Sequence, residues 1–143
     1  MSDDIATILS RLKQPLVYVM GVFYTVAGVL HFVFPTAYAR VVPPLFPKPH
    51  LLVYLSGIAE IGLGLGVMIQ RTRRWSAWGL IALLVAVFPA NIHMATSDMA
   101  TNLVPDWATG IAQGAMWARL PFQGVLILWA WWYTRSESES SAC

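Results

Sequence analysis

Residues 51–90 read LLVYLSGIAEIGLGLGVMIQRTRRWSAWGLIALLVAVFPA, and this stretch decides the fold. Two apolar runs flank one short basic link. The first, about 51–69, carries a single charge, Glu60; the second begins at Trp75 and ends near Ala95. A helix needs about 20 apolar residues to cross a bilayer, and about 17 at minimum. Both runs have that length. A helix also satisfies every backbone donor and acceptor internally, as hydrocarbon requires. The link is short enough to make the two runs an antiparallel hairpin with Arg71, Arg73 and Arg74 at its tip.

Two more runs lie outside the hairpin. One covers 16–34, between Lys13 and Pro35, and the other covers about 117–133, just before Arg135. The predicted architecture is therefore all-α: one domain, a four-transmembrane-helix bundle over residues 15–135. Composition agrees. Of 143 residues, 57% are hydrophobic and 11% charged, with mean hydropathy +0.61. A soluble domain carries about 25% charged residues, so this chain would expose large apolar patches in water. The lipid bilayer is its implied partner. A net charge of +2, with no basic stripe among aromatics, points away from nucleic acid. The lone cysteine, Cys143, offers no CxxC pair for a disulfide, a dithiol redox site or zinc.

Basic residues set the expected orientation. Arg11, Lys13, Arg71, Arg73, Arg74 and Arg135 fall on one side of a four-span bundle; Arg40, Lys48 and Arg119 fall on the other. The richer side is the cytoplasm. Both termini then face the cytoplasm, and the expected location is a bacterial inner membrane. Trp75, Trp78, Trp129, Trp131 and Trp132 gather near the same inner interface, where amphipathic rings settle.

The ends and connections have their own readings. Ile5, Ile8, Leu9 and Leu12 recur at helical spacing, so residues 1–14 read as a short amphipathic segment on the inner surface, or as a frayed terminus. Ala37, Tyr38 and Ala39 match a signal-cleavage box in form, but the preceding apolar run is longer than an ordinary signal core of about 7–15 residues. The proline-dense PPLFPKP, 43–49, predicts a stiff connector. The second outer connection, 96–116, is longer, with Asp98, Asp106 and Trp107; it reads as an interfacial segment or a lid. Residues 136–143 read as a disordered polar tail.

The polar residues within the spans bear on function. His31 lies near the end of the first span, Glu60 near the middle of the second, Asn91 and His93 near the end of the third, and Arg119 and Gln123 at the start of the fourth. Odd spans end outside and even spans begin there, so all six fall in the outer half of the membrane or at its midplane. A charged group at the bilayer centre costs about 2.5–3.5 kcal/mol on insertion scales, so these groups should face one another. Glu60 shares a helix face with Gly57 and Gly64, where small residues admit a close neighbour. Arg119 either reaches Glu60 or extends to the outer surface. Pro89 frees the Val85 carbonyl and is a kink candidate; Pro121 is expected in the first turn of the fourth span.

Two readings stand side by side. In one, the six side chains are hydrogen-bonding glue between helices. In the other, they line a pocket open to the outer face, with Glu60 handling protons and His31 and His93 as acids, bases or donors. A metal or haem is disfavoured, because no HxxxH or ExxH pair supports one.

Several segments together resemble the DoxX family of small four-helix membrane proteins. They are GVLHFVFPTAY (28–38), the prolines Pro43, Pro44 and Pro47, LVYLSGIAEIGLGLG (52–66), AWGLIALLVAVFPANIHMA (77–95) and RLPFQGVLILWAWW (119–132). The resemblance implies a compact four-helix bundle. It also implies association with a quinone-linked oxidoreductase, since the family takes its name from a membrane subunit associated with thiosulfate:quinone oxidoreductase; distant animal relatives resemble receptor-assembly chaperones. It supplies no catalytic residues. The expected function is a quinone-associated membrane subunit that relies on a redox partner subunit for electrons. The alternatives are a non-enzymatic scaffold or assembly subunit and, with less support, a small-molecule transporter. A homo-oligomer is also open, and no cofactor is assigned beyond quinone as the candidate.

Overall fold

The computed structural model describes residues 1–98, 102 and 104–135. The polar tail, 136–143, lies outside the described residues. Every regular element among those described is helical: α1 (Ser2–Val33), the short α2 (Pro35–Ala39), α3 (Pro49–Met68), α4 (Arg73–Thr96) and α5 (Thr109–Trp132), with one 3-10 turn at Asp106–Ala108.

Local chemistry accounts for most boundaries. Asp3 and Asp4 stand in the first turn of α1, where negative charge suits the exposed N–H groups. The helix then runs through Pro15 without a break, so residues 2–14 are helical and continuous with the first apolar run. It stops at Phe34, because Pro35 disfavours helical geometry in the residue before it. Lys48 turns the chain with φ 53 and ψ 63, a left-handed conformation costing an ordinary side chain about 1–2 kcal/mol. Pro49 opens α3 at a position where its missing N–H is not needed. At the other end of α3, the Thr72 hydroxyl donates to the Gly66 carbonyl at 2.8 Å, and Arg73 Nε donates to the Val67 carbonyl at 2.9 Å. Those carbonyls belong to the last turn, which lacks the N–H donors of a continuing helix.

Among the described residues, three helices are long and apolar enough to cross a membrane: α1, α3 and α4, with mean hydropathy 1.9, 1.8 and 1.7. At 1.5 Å per residue even the 20-residue α3 is about 30 Å long. Their outward faces are apolar too: Val22, Val26, Ile58 and Val85 are each more than half exposed. Water would not tolerate that face, whereas hydrocarbon does. The 24-residue α5 has the length of α4. Its N-terminal half carries Gly110, Gln113, Gly114 and Arg119, which dilute its apolar character.

The helix boundaries correct two expectations. α5 begins at Thr109 rather than 117, so eight residues assigned to the outer connection belong to the helix. Pro121 therefore lies well inside α5, not in its first turn, and leaves the Trp117 carbonyl without its helical donor. Pro89 likewise sits within an unbroken α4.

The long helices pack in chain order: α1 on α3, α3 on α4, α4 on α5. The α1–α3 contact is the tightest. Gly21 faces Gly64, and Gly28 faces Gly57, in antiparallel register. The apolar core sits toward the end bearing the Arg71–Arg74 link: Val17, Met20 and Tyr24 of α1, Val67 of α3, Leu80 and Leu84 of α4, and Ala130 with Tyr133 at the end of α5. The Tyr133 hydroxyl donates to the Lys13 carbonyl at 2.9 Å and ties the end of α5 to α1. The opposite half holds the polar side chains.

Candidate functional site

The first polar group forms where α1, α2 and α3 meet. Because Gly57 admits α1 so closely, Glu60, one turn further along α3, is brought against His31 in the last turn of α1. Glu60 Oε2 lies 3.3 Å from His31 Nδ1, and both side chains are mostly covered, at 17% and 12% exposure. His31 Nδ1 also lies 2.8 Å from the Ala27 carbonyl. A carbonyl can only accept, so this contact assigns the ring proton to Nδ1 and directs it at Ala27. Glu60 Oε2 is then buried beside the ring with no hydrogen bond of its own. The Tyr24 hydroxyl, two turns before His31 on the same helix, is also buried without a partner.

Tyr38 completes the group. Its ring stacks on His31 at a centroid distance of 4.0 Å and an interplanar angle of 23°. α2 carries Tyr38 and lies outside the spanning segments. Burial pushes the Tyr38 phenol above its ordinary value, the Glu60 carboxylate adds to the rise, and the Arg119 guanidinium opposes it.

The second polar group ties α4 to α5. Asn91 Nδ2 donates to Gln123 Oε1 at 2.6 Å. The Gln123 amide in turn donates to the Leu84 carbonyl, and Gln123 is 3% exposed. A turn or more outward, Gln113 Nε2 donates to the Ala95 carbonyl at 2.6 Å. Ala95 is in the last turn of α4, so this bond serves a carbonyl that the helix leaves open.

The six residues singled out by depth thus form two pairs and two singles. His31 meets Glu60; Asn91 meets Gln123. Arg119 is exposed, and its Nη1 donates to the Met94 sulfur at 3.3 Å. It makes no ion pair with Glu60, whose neighbour among the described residues is the His31 ring. His93 is half-buried, and its ring makes no hydrogen bond among the described residues.

Residues 20–134 match a family model described as a domain of unknown function, DUF8561. The chain belongs to the DUF8561 family. No curated protein and no solved structure matches it. The DUF8561 region contains both polar pairs, Tyr38, and the glycines of the α1–α3 contact; it leaves out only the first half of α1 and the residues after Thr134.

The two pairs of this DUF8561 protein differ in chemistry. In the Asn91–Gln123 pair, Gln123 uses both ends of its amide within the protein. That is what holding two helices together in hydrocarbon requires. The His31–Glu60 pair retains unused capacity: a carboxylate oxygen and a tyrosine hydroxyl, both buried and both free to bond. Among the described residues, no three His, Cys, Asp or Glu side chains gather as a metal site would need. A surface groove runs along Val125–Arg135, on and just past the end of α5, and another lies around Val33–Arg40; neither includes Glu60 or Gln123.

Proposed function

We propose that this protein is a four-span inner-membrane protein of bacteria whose Glu60–His31–Tyr38 group binds a small amphipathic molecule, a quinone in the first instance, from the outer half of the bilayer. In this reading α5 is the fourth span and both termini face the cytoplasm. The excess of basic residues at that end, six against three, supports the orientation. The likeness of five segments to DoxX proteins belongs to the same proposal.

One observation carries it: a buried carboxylate oxygen beside a histidine, with no hydrogen bond. Burying such a group without a partner is costly, and a ligand or a proton removes the cost. A bound quinone would supply the capacity to take two electrons and two protons. The chain's own residues would bind and handle protons. Tyr38 and His31 offer an aromatic wall, the Tyr38 phenol offers a donor, and Glu60 passes a proton between the outer face and the ligand oxygen. Electrons come from a partner subunit. Asn91 and Gln123 are already bonded to each other and are left out of the ligand set.

The test is extraction of the purified membrane protein for lipid-soluble quinones, followed by titration of quinone into wild type, Glu60→Gln and His31→Ala. The expected result is weaker binding in both variants, with unchanged sedimentation showing that they remain folded. Equal affinity in all three would remove the proposal.

A second reading, a non-enzymatic scaffold or assembly subunit, draws on the Asn91–Gln123–Leu84 chain, whose bonds all stay within the protein. It predicts no ligand in the extract and loss of a co-purifying partner in Glu60→Gln.

A further inference from the structure

We propose that the groove on the C-terminal part of α5 is a binding site for one anionic phospholipid. This goes beyond the quinone reading and shares with it only the placement of α5 across the bilayer.

The groove is lined by Val125, Leu128, Trp129, Trp131, Trp132 and Arg135. From Val125 to Trp132 it follows the helix for about 10 Å. Its floor and walls are apolar and open to the surroundings: Val125 is 57% exposed and Leu128 is 64% exposed. That is the shape and chemistry an acyl chain fills. Charge enters at one end only. The Arg135 guanidinium lies over the Trp131 ring at 4.2 Å, and the Lys13 ammonium lies 6.0 Å from the Trp132 ring centroid. Trp131 thus holds Arg135, itself part of the lining, at the mouth, and the Lys13 ammonium lies at the edge of cation–π range of Trp132. Neither cation is in an ion pair among the described residues.

A further donor lies in the lining. Trp129 Nε1 is buried, and its nearest acceptor is the Tyr133 hydroxyl oxygen, whose own proton goes to the Lys13 carbonyl. An apolar trough closed by two unpaired cations complements a lipid with a fatty tail and a phosphate head. It does not complement a peptide, which would bring backbone polar groups into an apolar trough that offers them few partners. A zwitterionic head carries its own cation to the same mouth and would meet repulsion there. The acyl chain lies along Val125 and Leu128, and the phosphate meets Lys13 and Arg135.

The experiment uses the full-length protein in bilayers of equal parts phosphatidylglycerol and phosphatidylcholine. Mild detergent extraction and native mass spectrometry then count the retained lipids. One phosphatidylglycerol is expected to stay bound in preference to phosphatidylcholine. Lys13→Ala and Arg135→Ala are each expected to lower its retention about fivefold, the usual worth of one basic side chain at an anionic surface. Arg71→Ala, on the same side but away from the groove, is expected to keep it. Equal retention of the two lipids, no retained lipid, or the same loss in Arg71→Ala overturns the proposal. The shared premise is read separately. Gly124 is exposed at mid-α5 with open space around it, so Gly124→Cys in a Cys143→Ser background should resist a water-soluble maleimide in membranes. Labelling there would refute the placement of α5 and with it the lipid site.

Discussion

Gly28 and Gly57 meet backbone to backbone: a Cβ on Gly28 would stand 2.7 Å from the Gly57 carbonyl oxygen, and one on Gly57 would stand 2.9 Å from the Gly28 carbonyl oxygen. Neither carbonyl can yield without moving its helix. Gly28→Ala and Gly57→Ala should each force α1 and α3 apart, at a cost of about 1–3 kcal/mol. Gly62 on α3 has nothing within 4 Å of such a Cβ, so Gly62→Ala should be neutral or stabilise by up to about 1 kcal/mol through helix propensity. Thermal unfolding in detergent separates the three variants, and equal melting temperatures would contradict the packing described.

Gln123 joins Asn91 to the Leu84 carbonyl across α4 and α5. Interhelical bonds in membranes average about 0.6 kcal/mol and reach about 1.7 kcal/mol. Gln123→Ala should therefore destabilise by about 1 kcal/mol and leave Asn91 without its acceptor. In a double-mutant cycle with Asn91→Ala the effects should be less than additive. Strict additivity would mean the two amides do not interact.

Arg73 and Arg74 are neighbours with different expected weights. Arg73 is 9% exposed and its Nε bonds the Val67 carbonyl at the end of α3. A hydrogen bond from a charged donor contributes about 1.5–3 kcal/mol, so Arg73→Ala should lower stability by about that amount. Arg74 is exposed, and Arg74→Ala should stay within about 0.5 kcal/mol of wild type. Chemical denaturation of the two variants side by side checks the contrast.

Tyr38 makes alkaline stability depend on pH. Burial, reinforced by Glu60, raises its phenol in the folded protein. The folded state therefore holds the proton more tightly than the unfolded chain. The stabilisation is complete below the ordinary phenol value of about 10 and is lost as pH rises above it. Tyr38→Phe should flatten that part of the stability profile relative to wild type. Titration of tyrosinate absorbance should show one fewer late-ionising phenol.

The hairpin of α3 and α4 was legible because hydropathy and charge act locally: an apolar run of the right length and a basic turn need no knowledge of neighbours. The start of α5 was not, because Gly110, Gln113 and Gly114 interrupt the apolar run while the backbone stays helical. Counting apolar residues finds where a helix is oily, not where it begins, and Pro121 was misplaced with it. Pro15 shows the same limit at the other end, since a boundary drawn there overlooked a helix that passes through. Counting along each apolar run shows that His31, Glu60, Asn91 and Gln123 lie toward one end of the helices, but it does not show their partners. Partnership depends on how each helix is rotated, which the glycine contacts set. The face shared by Gly57, Glu60 and Gly64 was readable; its complement, Gly21 and Gly28, was overlooked, though the two glycines share a spacing of two turns. Nothing in the sequence marks Tyr38, because it follows Pro35 in what reads as a connector, or Gln113, because it precedes the fourth apolar run.

The pairing of long helices in chain order has a consequence for how the protein is made. Each helix can dock on its predecessor as soon as it leaves the translocation machinery, without waiting for a distant segment, which keeps the search local and the exposed intermediates brief. The exception is the Tyr133 hydroxyl on the Lys13 carbonyl, a bond between the end of α5 and α1. It acts as a latch that can close only after α5 has been made, so a chain stalled before Tyr133 leaves α1, α3 and α4 docked in sequence but unfastened.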